Sequence, residues 1–180
     1  MELRMYGLVN YQLTGIQKGI QFGHAAVEYS LCDGRFEYDL YRDWAKNHKT
    51  FILLNGGTTN NNPEKFGTMQ KHLISLKEFE IPFATFYEPD LNDALTAIVF
   101  IVDERAFNKE KYPDFDLTKF YGVFKLDKSQ IYQDPMNPNF PNLYSTRGSD
   151  VRQEWDEWVE YIGGAKNLFL RSFLVNFKKA

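Results

Sequence analysis

A single cysteine, Cys32, leaves this chain of 180 residues no means of forming an internal disulfide. A stapled, secreted scaffold is therefore excluded, and a reducing, cytoplasmic setting is expected. Histidine is nearly as scarce: His24, His48 and His72 stand far apart, with no ligand spacing of the zinc type. No metal is expected, and no segment calls for a cofactor. No apolar run approaches the roughly 20 residues that cross a bilayer, and the first residues mix Glu2 and Arg4 with apolar side chains, so no membrane partner or leader is expected. Positive charge is not in excess either. Twenty-one Lys and Arg against 24 Asp and Glu give a net charge of −3, which excludes a uniformly basic nucleic-acid-binding domain. Only a local patch remains open, for which Lys18, Arg35, Arg42, Lys46 and Lys49 are the candidates. There is no Walker loop, no dinucleotide fingerprint, no local Ser-His-Asp arrangement, and no nucleophile signature around Cys32.

What is present is apolar and aromatic. Hydrophobic residues make up 43% of the chain and aromatic residues 17%, enough to fill the core of one domain. Met5 to Tyr11 reads as a strand that Thr14-Gly15 ends. Ile16, Ile20, Gly23, His24, Val27 and Leu31 then recur at three- and four-residue steps, predicting a helix over 16–31 with that row as its buried face. Asp39 to Asn47 predicts a short helix, and Phe51 to Leu54 a buried strand. The polar run Asn55 to Asn62 reads as a loop, and Pro63-Glu64 as the start of a helix reaching Phe79 with Phe66, Met69, Leu73 and Leu76 inward. Phe83 to Tyr87 and Leu95 to Val102 complete the strands. This order predicts an α/β sandwich with a small mixed sheet, since helices separate the early strands and a short turn joins the last two. Residues 1–102 would form this core. Residues 103–180 would be an extension packed on it: an irregular arm carrying Pro113, Pro135, Pro138 and Pro141, then two helices split by Gly163-Gly164.

Three segments can carry chemistry. Gln21 and His24 lie three apart on the first helix beside small residues, which suits a site residue at a strand end as well as a helix histidine bonded to backbone. Glu88, Asp90 and Asp93 crowd the turn between two strands. Pro89 biases Glu88 toward an extended conformation, so its carboxylate projects from a strand end and can accept a proton, or merely cap the turn. Thr96 opens the buried strand beyond, where its hydroxyl satisfies backbone or faces the site. Asn55-Gly56-Gly57-Thr58-Thr59, between a strand and a helix, is a weaker candidate for holding a phosphate.

The first strand, the helix Gln21-Phe22-Gly23-His24-Ala25-Ala26-Val27, and the strand opening Leu95-Thr96-Ala97-Ile98 together resemble the archaeal and eukaryotic type of peptidyl-tRNA hydrolase. Small bacterial and phage relatives of that family are more similar, carrying the Phe86-x-Glu88-Pro89-Asp90-Leu91 pattern and the Thr96-Ala97 pair. The resemblance spans about residues 4–102, and Gln-x-x-His-Ala-Ala is its most specific part. It implies a four-stranded mixed sheet with helices on both faces in a three-layer sandwich, a homodimer, and a site where the first helix meets the later strands. It also implies a lysine four residues before the motif glutamine; Gln17 stands there, and Lys18 one place later. The family's site aspartate corresponds to Glu88, and the loop after it is shortened to Pro89–Asp93. The implied activity is ester hydrolysis on peptidyl- or N-blocked aminoacyl-tRNA. Its catalytic set would be Lys18, Gln21, His24 and Glu88, with Gln17, Asn55, Asp90 and Thr96 on the substrate. The rival reading is a module that holds a nucleotide or a protein partner in the same cleft without turnover, as a phage protein blocking a host factor would. A third is an accessory subunit that dimerises through Trp155, Trp158, Phe169 and Phe173.

Overall fold

The computed structural model describes residues 1–32, 35–62, 64–118, 133–134, 137–141, 149–178 and 180. Along the chain these form β1 (Leu3–Asn10), α1 (Gly15–Ser30), α2 (Arg35–Asn47), β2 (Thr50–Gly57), α3 (Thr68–Glu78), β3 (Phe83–Glu88) and a 3-10 turn at Pro89–Leu91. Then come β4 (Ala94–Asp103), α4 (Glu104–Phe107), β5 (Gln133–Asp134), β6 (Asn137–Pro141), α5 (Ser149–Tyr161) and α6 (Ala165–Leu174). Pro63, Pro135 and the side chain of Arg35 fall outside the described residues. The expected α/β architecture forms: a mixed four-stranded sheet in the order β2-β1-β4-β3, with β5 and β6 paired separately. β1 runs parallel to β2 and antiparallel to β4, and β4 runs antiparallel to β3. No helix among the described residues is long and apolar enough to cross a membrane.

Alternation along the two central strands sorts their side chains into two cores. Leu3, Met5, Val9, Ala97, Val99 and Ile101 face α1 and α2, where they meet Phe22, Ala25, Tyr29 and Trp44. Tyr6, Leu8, Ile98, Phe100 and Val102 face the other way, against Met69 and Leu76 of α3 and Leu170 and Phe173 of α6. Gly7 is essential to the first contact, because a Cβ there would stand 2.0 Å from the Phe22 ring. The chain beyond 103 is also braced within itself by charge. Buried Arg171 of α6 donates to the carbonyls of Arg105 and Tyr112 and to Asp114, which satisfies a guanidinium that would be costly to bury alone. The outer edge of β2 is covered by the C-terminal tail: Asn55 N donates to Lys178 O and Ala180 N to Leu53 O, both at 3.0 Å.

Four expectations need correction. The buried face of α1 is Gln21, Phe22, Ala25 and Tyr29, whereas Ile16, Ile20, Val27 and Leu31 are exposed; the helix is apolar on both sides, so periodicity alone picked the wrong one. Helix α3 starts at Thr68, five residues late. Asn60 and Asn62 side chains accept from the backbone of Asn62 and Glu64, and such local bonds hold a segment in turns. Phe66 is consequently outside the helix and exposed. Phe51 is half exposed because β2 is an edge strand. Finally, the aromatic residues considered for an interface serve the chain's own packing: Phe169 stacks on Phe79 at 4.0 Å, Trp155 meets Phe115 edge-on, and Trp158 donates to Pro113 O.

His72 of α3 gives a pH prediction. Its ring sits edge-on against Phe177 and Phe173, with centroids 4.8 and 5.6 Å away, and burial lowers its pKa from the model-peptide value of 6.5. The unfolded chain therefore binds this proton more readily than the folded one, so stability falls as pH drops below about 6.5 and the loss is complete once the folded group charges. Thermal melts at pH 7.5 and 5.5 should show this decline, and His72→Leu should flatten it. An unchanged decline in the variant would assign it to other groups.

Candidate active site

The C-terminal ends of β1, β2 and β3 and the start of β4 lie at one end of the sheet, where α1 crosses β3 and β4. Capping fixes where α1 begins. The Thr14 side chain accepts from Gln17 N while the Gln17 side chain accepts from Thr14 N, a reciprocal capping box. With the helix so phased, Gln21 falls in its second turn on the side facing the sheet, buried.

There the Gln21 carboxamide joins two strands. Its Nε2 donates to Glu88 Oε2, and its Oε1 lies 2.9 Å from the Thr96 hydroxyl, which is also 3.2 Å from Phe86 O. The single Thr96 proton serves one of these acceptors at a time. Glu88 is the last residue of β3, half-buried, as the proline after it leads one to expect.

Thr96 reaches α1 through a break in pairing. Phe86 pairs with Ala97 and Tyr87 with Leu95, so Thr96 is an extra residue in β4. Strict alternation would turn it away from Ala97, into the core beneath α3; the bulge turns both toward α1. This is also why Leu95 joins Ile98 and Phe100 in the opposite core.

His24, one turn beyond Gln21, is exposed, and its ring meets that of Phe86 at a tilt of 55°, with centroids 4.4 Å apart. Lys18, three residues before Gln21, is half-buried, and helical spacing puts it on the same side of α1. Gln17 is exposed and engaged in the capping box. Asp90 is exposed in the 3-10 turn. Asn55 is not brought to this cluster. It pairs with Val9, which pairs with Ala97, which pairs with Phe86; three strand spacings, about 14 Å, separate it from β3. Its side chain accepts instead from Gly57 N.

Sequence reading missed a second polar network at the same end. Asn10 Nδ2 donates to Thr59 Oγ1 at 3.1 Å, and the Thr59 hydroxyl donates to Leu95 O. Thr59 is thereby held beside the bulge, anchoring the Asn-rich loop next to Thr96. A polar residue closing an otherwise apolar strand, as Asn10 does, was the available signal. Away from all of this, a surface hollow of about 530 Å³ runs along α2, lined by Asp39, Arg42, Asp43 and Lys46 among others.

Chemically the cluster offers a carboxylate with one oxygen held by an amide, leaving capacity to accept a proton; a second amide N–H; a lysine on the same side of α1; and an exposed histidine ring against an aromatic one. No protein-family model matches the chain, and no curated protein is significantly similar to it.

Proposed function

We propose that the chain hydrolyses the ester joining a peptidyl or N-blocked aminoacyl group to the 3′ end of tRNA, at the junction of Gln21, Glu88 and Thr96. The observation that supports this reading above others is the Gln21 bridge, which fixes a carboxylate on β3 and a hydroxyl on β4 through one helix side chain. Glu88 takes a proton from water as the water oxygen adds to the ester carbonyl carbon. The resulting oxyanion draws on the remaining Gln21 N–H and the Lys18 ammonium. Collapse breaks the carbon–oxygen bond to the ribose, and Glu88 returns the proton to the leaving hydroxyl. His24 beside Phe86 offers a surface on which the terminal base stacks, and Lys18 supplies local charge for a nearby phosphate. The protein would work in the cytoplasm.

One observation favours binding without turnover. Gln17 occupies the position where the resemblance implies a lysine, and its side chain is committed to capping α1. The test is incubation of the full chain with N-acetyl-aminoacyl-tRNA, following release of the blocked amino acid. Release above the uncatalysed rate is expected, with KM rising steeply with salt as phosphate contacts are screened. Tight binding of the same tRNA with no release would replace the hydrolase reading by the binding module.

A further inference from the structure

The first residues of β4 are not held by its own ladders. Pairing with β1 stops at Val9 and Ala97, short of Leu95, and pairing with β3 is interrupted at the extra residue Thr96. The turn leading in carries two non-glycine residues in the left-handed region, Asn92 with φ 57° and Asp93 with φ 51°. Sparsely populated backbone of this kind persists only where its surroundings hold it.

From outside the strand, the Thr59 hydroxyl donates to Leu95 O. The polarity of this bond is fixed from both ends. A carbonyl oxygen only accepts, so the hydroxyl proton goes to Leu95 and Thr59 Oγ1 accepts from Asn10 Nδ2 at 3.1 Å. At the other end of that buried carboxamide, Asn10 Oδ1 accepts from Gln12 N at 2.9 Å. Turning the Asn10 amide over would set donor against donor at Gln12 and acceptor against acceptor at Thr59. The Asn-rich loop does not need the Leu95 bond to keep its place. Thr58 N donates to Thr68 Oγ1, Met69 N to Thr58 O, Asn60 N to Gln70 Oε1 and Gln70 Nε2 to Asn61 Oδ1, all of them ties to α3. What Thr59 holds is the start of β4.

We propose that Asn10 and Thr59 are positioning residues of the site. By fixing the Leu95 carbonyl they hold the bulge that presents the Thr96 hydroxyl to Gln21 Oε1, which leaves Gln21 Nε2 for Glu88. Without the Thr59 bond, the bulge loses its restraint against strict alternation, in which Thr96 points away from α1. Gln21 then loses the partner that selects its amide orientation. The effect of both residues on rate rests on the hydrolase reading; their geometry does not.

Thr59→Val keeps the shape of the side chain and removes both bonds. It should lower kcat for N-acetyl-aminoacyl-tRNA about ten- to thirtyfold, as misplaced catalytic groups do, with KM changed less than about twofold. Thr59→Ser, which can make both bonds, should recover kcat to within about threefold of wild type. Asn10→Asp should lose as much as Thr59→Val, because the carboxylate draws the Thr59 proton away from Leu95 O. Gln70→Leu is the control: it cuts the loop from α3 and should lower the melting temperature while leaving kcat unchanged. Nuclear magnetic resonance of the Gln21 side-chain amide reads the geometry without turnover. Its signal should move toward that of a free carboxamide in Thr59→Val and Asn10→Asp, and stay in place in Thr59→Ser and Gln70→Leu. If wild type releases no blocked amino acid while the amide signal follows this pattern, the hydrolase reading fails and the positioning role stands. A Gln21 signal indifferent to Thr59→Val would overturn the proposal. So would, in an active protein, a kcat indifferent to Thr59→Val or lowered equally by Gln70→Leu.

Discussion

Glu88→Gln is expected to lower kcat/KM for N-acetyl-aminoacyl-tRNA by about two to three orders of magnitude while leaving the fold intact. The substitution keeps the size of the side chain and an oxygen able to accept from Gln21 Nε2, so the bridge between α1 and β3 survives. What disappears is the lone pair that takes a proton from water, a contribution commonly worth 10²–10⁴-fold. The loss should fall on kcat, since the group acts in the transition state and not in holding the tRNA. Gln21→Leu should cost as much, by freeing Glu88 and removing an N–H donor, and it should leave Thr96 satisfied by Phe86 O. His24→Ala, by contrast, should raise KM with little change in kcat, as expected for a surface that binds a base. Steady-state kinetics on the three variants separates these cases. A threefold or smaller effect of Glu88→Gln on kcat would remove Glu88 from the chemistry.

The elements of the sheet were readable because their signals are local. The run from Leu95 to Val102 carries no polar residue after Thr96 and had to be central; β4 pairs on both sides. The inward face of α1 was not readable, because Ile16, Ile20, Val27 and Leu31 repeat as regularly as Phe22, Ala25 and Tyr29. Only the glycine opposite Phe22, seven residues into the chain, decides which row the sheet accepts. The start of α3 was lost to Asn60 and Asn62, whose side chains capture backbone N–H groups that a longer helix would have used. At the site, Gln21 and Glu88 stand 67 residues apart, and no periodicity joins them. Their pairing was expected only from the resemblance. That Thr96 faces α1 follows from a bulge, a register event with no composition of its own, and the tie from Thr59 to Leu95 O depends on it.

Gly7→Ala links the core to the site, and its expected cost is large for the addition of one methyl group. The new Cβ would stand 2.0 Å from Phe22 Cδ2 and 2.1 Å from Cε2, far inside van der Waals contact. The ring cannot simply swing aside, since it is buried and meets Phe51 edge-on with centroids 5.2 Å apart. Either Phe22 leaves its rotamer or α1 lifts from the sheet, and overpacking of this kind costs about 1–3 kcal/mol. Lifting α1 also carries Gln21, the next residue along, away from Glu88 and Thr96. Gly7→Ala should therefore lower both the melting temperature and kcat. Phe22→Ala should cost more in stability, about 3–5 kcal/mol, because it empties the same space. The double variant Gly7→Ala with Phe22→Leu should recover part of both losses, since the smaller side chain leaves room for the methyl group, giving a clear coupling energy in a double-mutant cycle. Strictly additive effects on stability would mean that Phe22 does not rest on Gly7. Recovery of stability without recovery of kcat would mean that the seat of α1 does not set the position of Gln21.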